Sequence, residues 1–192
     1  MRINEITEKD DLFYVFRDLE KNCSDFIKDM KTARRFLWRG ISGYDQDVYT
    51  EISPTNRKPN GQTPMEQATL DSYLMAAGFQ SLRSNSICCA TDYDGLMGSY
   101  VYIIFPHDGY SFTWSSKIKD IGGTPRLRQF LSQKHWGTLE QESERLIAEL
   151  DFRDRDMVSA LKSGAEITIH GKYTAINESY SNQLSRYFRM YL

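Results

Sequence analysis

Tyr100-Val101-Tyr102-Ile103-Ile104-Phe105-Pro106-His107-Asp108-Gly109-Tyr110-Ser111-Phe112-Thr113-Trp114 is the stretch on which the fold turns. Its first six residues are all aromatic or aliphatic, and three are β-branched, the composition of a buried strand. Pro-His-Asp-Gly is turn chemistry: proline presets φ, aspartate bonds its own backbone and glycine accepts positive φ. Residues 110–114 then return as a second strand. The pattern predicts an antiparallel hairpin at the centre of the chain.

Working outward toward the C-terminus, residues 115–124 read as loop and 125–133 as a short helix. Thr138-Leu139-Glu140-Gln141 has the capping-box spacing, so a helix is expected from there to about residue 152, with Leu139, Leu146, Ile147 and Leu150 on one side. A further helical segment, 154–161, ends at Ser163-Gly164. Glu166-Ile167-Thr168-Ile169-His170 alternates polar and apolar, which is a strand with Glu, Thr and His on one face. Gly171 permits a turn or bulge, and 173–176 reads as another strand. Residues 184–192 are compatible with helix or strand.

Toward the N-terminus, 83–91 reads as a strand with a polar beginning, its alternation placing Ser84, Ser86 and Cys88 on one face. Thr63-Pro64-Met65-Glu66 starts a helix that runs to about Ala77 and stops at Gly78. Residues 42–63 carry Pro54, Pro59 and Gly61 and read as a long loop. Residues 36–39 are a short buried strand ending in Arg39-Gly40. Residues 7–30 show apolar positions at helical spacing, capped by Thr7. The expected fold class is α+β, a single domain over 1–192 with an N-terminal amphipathic helix.

The 192 residues suffice for one substantial core. A net charge of −2 supplies no global field to gather nucleic acid. The local basic groups, among them Lys31, Arg34, Arg35, Arg57-Lys58, Arg126 and Arg128, read first as solvated faces. Three cysteines, two of them adjacent, make a poor disulfide framework and point to a reducing compartment. No apolar run approaches the roughly 20 residues that span a bilayer. The polar start lacks a signal-peptide core, so a cytoplasmic location is expected.

Phosphate-loop and dinucleotide glycine motifs are absent, and the cysteines and histidines lack zinc spacing, so no metal is expected. Cys88 and Cys89, with His107, His135 and His170, read as structural residues rather than as a nucleophile and its base. Three polar positions at strand edges remain. Arg39 ends one strand, Ser84 and Ser86 open a second, and Glu166 opens a third. A guanidinium at the end of a buried strand needs an anion or a cleft.

In this order the residues resemble the Arg–Ser–Glu pattern of mono-ADP-ribosyltransferases of the bacterial-toxin type. The match lies in Trp38-Arg39-Gly40, Ser84-Asn85-Ser86 and Ala165-Glu166-Ile167-Thr168-Ile169, continuing to Tyr173-Thr174-Ala175-Ile176. Segments 36–40, 84–114 and 166–176 also resemble uncharacterised proteins of tailed bacteriophages. The resemblance implies an ADP-ribosyltransferase-like fold of mixed or antiparallel sheets with flanking helices. It implies NAD as substrate, with Arg39 on its phosphates, Ser84 and Ser86 supporting the nicotinamide ribose, and Glu166 as the catalytic residue. The expected partner is a host protein or nucleic acid that accepts ADP-ribose, in the host cytoplasm and away from membrane. For a nucleic-acid acceptor, the loop at Arg57-Lys58 would be the contact. Two positions depart from the pattern: Asn85 stands where Thr is usual, and Gly164 where many members have Glu or Gln to engage the acceptor.

The chemistry is consistent with these residue types. Breaking the nicotinamide–ribose bond develops positive charge at the anomeric carbon, and a fixed carboxylate stabilises it there. A guanidinium holding the diphosphate fixes the dinucleotide. Tyr102, Tyr110 or Trp114 is a candidate to stack on nicotinamide. The alternative expectation is a non-enzymatic phage protein that binds and inhibits a host factor, or a minor structural component.

Overall fold

The computed structural model describes residues 9–41, 46–58, 61–93, 96, 100–133 and 136–190. Thr7, the expected helix cap, and His135 lie outside the described residues. The helical spacing near the N-terminus gives two helices, α1 (Lys9–Asn22) and α2 (Ser24–Ala33), rather than one. Strands β1 (Trp38–Ile41) and β2 (Val48–Ile52) follow, then α3 (Pro64–Ala76), β3 (Ile87–Cys89), β4 (Tyr100–Pro106) and β5 (Ser111–Ser115). The chain continues through α4 (Pro125–Ser132), α5 (Leu139–Leu150), β6 (Phe152–Arg153), α6 (Met157–Lys162), β7 (Ile167–His170) and β8 (Lys172–Asn177). It closes with a 3-10 turn (Glu178–Tyr180) and α7 (Ser181–Tyr187).

The fold is α+β, with two four-stranded antiparallel sheets, ordered β1-β4-β8-β2 and β3-β7-β5-β6. The expected hairpin of 100–105 with 110–114 does not form. β4 pairs with β1 and β8, whereas β5 pairs with β7 and β6. Pro106 to Tyr110 is therefore a corner between sheets, closed by a turn from Tyr110 N–H to the His107 carbonyl at 3.1 Å. Gly171 makes a second corner beside it, between β7 and β8, at φ 127°. Glycine is needed there for this torsion, which L side chains rarely adopt. The reason for the crossing is burial. Ile103, Ile104 and Phe105 are all inaccessible to water, so β4 is covered on both faces and on both edges.

The corner also explains the broken helix. Asp108 accepts hydrogen bonds from the Ser24 N–H (3.1 Å), the Ser24 hydroxyl (2.8 Å) and the Asp25 N–H (3.0 Å). It thus caps α2 from a segment more than eighty residues away, satisfying orphan N–H groups that a helix start leaves bare. Burial raises the Asp108 pKa, but the hydrogen bonds from Asp25 and Ser24 outweigh it and hold the carboxyl below the usual aspartate range. A depressed folded-state pKa stabilises the fold above the unfolded-state value and is lost as pH falls through the folded-state value. Asp108→Ala is accordingly expected to cost about 1 kcal/mol at pH 7, and less below about pH 4. Urea unfolding of both proteins at the two pH values measures this; an equal cost at both would remove the charge from the account.

The main core lies among α1, α2, α6, α7 and the two sheets. Phe26 meets Phe105 edge-on at 6.1 Å, and Phe105 meets Phe188 at 6.0 Å. A second cluster joins α3, α4 and α5 through Leu70, Leu74, Leu127, Phe130 and Leu146. The alternation of β7 is realised: Ile167 and Ile169 enter the main core. Thr168 on the opposite face is buried too, where Ser81 donates to it at 3.0 Å.

Candidate functional site

Among the described residues, an isolated bridge between Trp38 and Ala90 joins the two sheets, with both backbone bonds at 2.8 Å. β3 in turn pairs with β7, Cys88 opposite Thr168 and Cys89 opposite Ile167. β1, which carries Arg39, β3, which follows Ser84 and Ser86, and β7, which follows Glu166, are therefore consecutive across the molecule.

Arg39 stands on β1 opposite Tyr102. It is half-buried, and its Nε and Nη1 are shielded from water with no hydrogen-bond partner among the described residues. Aromatic groups surround this region: Tyr49 and Tyr102 lie 5.1 Å apart and Tyr49 and Tyr173 6.2 Å apart. Burial pushes the Tyr49 and Tyr173 hydroxyls up, while the Arg39 guanidinium pulls both back. A shielded guanidinium with unmet donors is costly, and a bound anion would satisfy it.

Glu166 precedes β7, and its side chain is 16% exposed. Nη1 of Arg83 straddles the carboxylate, at 3.0 Å from Oε1 and 3.2 Å from Oε2. The Ile121 N–H donates to Oε2 at 2.8 Å, and the Glu166 N–H donates to the Lys119 carbonyl at 2.8 Å. The Cys88 thiol faces the same carboxylate. Arg39 and Glu166 form no ion pair. Cys89 feels both Arg39 and Glu166, and Glu166 also bonds toward Cys88, so both charges lie beside β3 without touching each other.

The serines sit at the other end of β3. Ser86 is fully buried; its hydroxyl donates to Asn85 Oδ1 at 2.9 Å and shares a bond of 2.9 Å with the Ser81 hydroxyl. Ser81 passes the network to Thr168, two residues beyond Glu166. Ser84 is half-buried; its N–H donates to Asp71 Oδ2 at 3.1 Å and its carbonyl accepts the Arg57 N–H at 2.7 Å. The expected strand over 83–91 is regular only at Ile87–Cys89, because Arg83 to Asn85 form a turn held by the Asp71 carboxylate.

Two residues of this neighbourhood escaped the sequence reading, Arg83 and Asp71, and a third, Arg57, was expected only as a solvated or nucleic-acid-facing loop cation. Arg57 is not a solvated loop cation; its Nη1 donates to Cys88 Sγ at 2.5 Å. The signal for Arg83 was its place directly before the serine motif, where a charge at the mouth of a strand has little solvent to turn to. The expected loop 42–63 likewise holds β2, paired to β8 from Val48 opposite Ile176 onward.

The glycine two residues before Glu166 has a local cause. Gly164 adopts φ 68°, and a Cβ there would lie 3.0 Å from Asp92 Oδ2 and 3.2 Å from Lys119 Nζ. A Glu or Gln would be strained at that position and would displace two charged groups.

Burial pushes the Cys88 thiol up to about 11, with Glu166 next in effect, and Cys89 up to about 12. Both are free thiols, protonated at neutral pH and poor nucleophiles. His170 Nδ1 is tied to the Asn85 carbonyl at 2.8 Å and lies 3.1 Å from the Ser53 hydroxyl. Among the described residues, no three potential metal ligands converge, and no helix is long and apolar enough to cross a membrane. The chain matches no family model, no curated protein and no solved structure.

Proposed function

We propose that the protein is an NAD-dependent mono-ADP-ribosyltransferase of phage origin, acting on a host macromolecule. The observation that carries this reading is the consecutive strand order β1-β3-β7, which brings Arg39 on β1 and Glu166 at the start of β7 to the same end of β3, with the serine segment at its other end. Arg39 supports it further, since its unmet donors suit a diphosphate. On this reading NAD lies across the β1–β3 seam. Arg39 holds the diphosphate, and the Glu166 carboxylate, already oriented, meets the positive charge that develops on the nicotinamide ribose. The serines act at one remove: the Ser86–Ser81–Thr168 hydroxyl chain braces the strand that carries Glu166.

The test is NAD consumption and transfer of labelled ADP-ribose by the purified protein. Glu166→Gln, which removes the charge and keeps the size, is expected to lower turnover by about 100-fold or more. Arg39→Ala is expected to weaken NAD binding by about tenfold or more, the loss of a charge-assisted contact. Turnover that survives Glu166→Gln removes that residue from the chemistry.

One observation favours a second reading, a protein that binds a host factor without turnover. The Glu166 carboxylate already has Arg83 and the Ile121 N–H as partners, as a structural ion pair would. Calorimetry with no heat of NAD binding, together with one stoichiometric host partner, would select it.

A further inference from the structure

We infer that Arg83 is the positioning residue for Glu166, an inference that rests on the ADP-ribosyl-transfer reading. Arg83 is 3% exposed, and its own backbone is pinned: its N–H donates to Asp71 Oδ1 at 2.9 Å, and the next N–H donates to Asp71 Oδ2. Asp71 is itself buried on α3. The chain of contacts runs from a rigid helix, through a two-residue turn, to a guanidinium that touches both oxygens of Glu166.

A carboxylate offers about four lone-pair sites. Arg83 takes one on each oxygen, and the Ile121 N–H takes the second site of Oε2. The remaining direction is on Oε1, and Cys88 brings only a weak S–H donor to the carboxylate. A ribose hydroxyl is a stronger donor and displaces it. Glu166 is therefore held on one edge and available on the other, and needs no reorientation as charge develops on the sugar.

The experiment is steady-state NAD hydrolysis, with water as acceptor, by wild type, Arg83→Met, Glu166→Gln and the double variant. Arg83→Met is expected to lower kcat by about 100-fold, the cost of a misplaced catalytic group, with KM for NAD little changed because Arg39 is untouched. In the Glu166→Gln background the same substitution is expected to cost nothing further, because Arg83 acts only through that carboxylate. Arg83→Lys keeps a single charged nitrogen that can meet the carboxylate but loses the guanidinium's fixed geometry, and is expected to recover about tenfold of the loss. If Arg83→Met does not fold, as its unfolding midpoint will show, Arg83→Lys carries the same comparison. An equal loss in both backgrounds, or a raised KM with kcat intact, overturns the positioning role while leaving the transferase reading in place. A wild-type protein without turnover overturns both.

Discussion

Replacing Arg83 by methionine is expected to lower the unfolding free energy by about 3–5 kcal/mol, the cost of stranding one partner of a buried ion pair. The magnitude follows from burial: the two side chains are 3% and 16% exposed. At that depth solvent cannot rehydrate the survivor, so a carboxylate is left with the Ile121 N–H and a thiol. Glu166→Leu is expected to be destabilising as well, since it removes the carboxylate whose two oxygens Arg83 Nη1 contacts. The pair replaced together, Arg83→Met with Glu166→Leu, should unfold closer to wild type than either single variant. Two apolar side chains of similar volume leave no uncompensated charge, and replacing such a pair is often nearly neutral. Urea denaturation of the four proteins closes this cycle. Additive losses would mean that the two groups are stabilised independently, and the ion pair would cease to explain either.

The second large effect is expected at Trp114. Its indole is 2% exposed in the main core, where β5 pairs with β6. The ring nitrogen donates to the Arg155 carbonyl at 3.0 Å, which ties the main core to the segment between β6 and α6. Trp114→Ala should cost about 3–5 kcal/mol through lost burial and the cavity left behind. Trp114→Phe refills most of that volume but leaves the Arg155 carbonyl without this donor, for a cost of about 1–3 kcal/mol. Thermal or urea unfolding separates the two. Equal losses would assign the effect to the hydrogen bond alone.

Local signals were strong where the chemistry is local. Thr63 and Thr138 each form the reciprocal capping box that their spacing announced, with Glu66 and Gln141. The alternation of Glu166 to His170 was equally plain, because two buried isoleucines at period 2 leave few other solutions. Other elements gave misleading local signals. The break at Cys23 interrupts a continuous helical pattern, and what makes it favourable is a carboxylate from the 106–110 corner. β2 lies among prolines and polar residues, and its strand character comes from its partner β8. Leu139, expected on the buried side of its helix, is 45% exposed because it occupies the first turn, ahead of the packed positions.

Chain-local signals define an inventory: the helix starts, the buried β4 segment, the alternating strand behind Glu166, and the ordered polar residues Arg39, Ser84, Ser86 and Glu166. Each depends on contacts a few residues apart, where spacing and geometry are tied by the covalent chain. Tertiary structure alone decided how these pieces face one another. It sent β4 and β5 into different sheets, because a turn motif fixes a change of direction but not which strand lies alongside. It set β1 beside β3 through Trp38 and Ala90. It gave Glu166 to Arg83, a residue 83 positions away in the chain. Burial charges must be matched across such distances, and the partner is chosen by which side chains the packed sheets and α3 bring within reach.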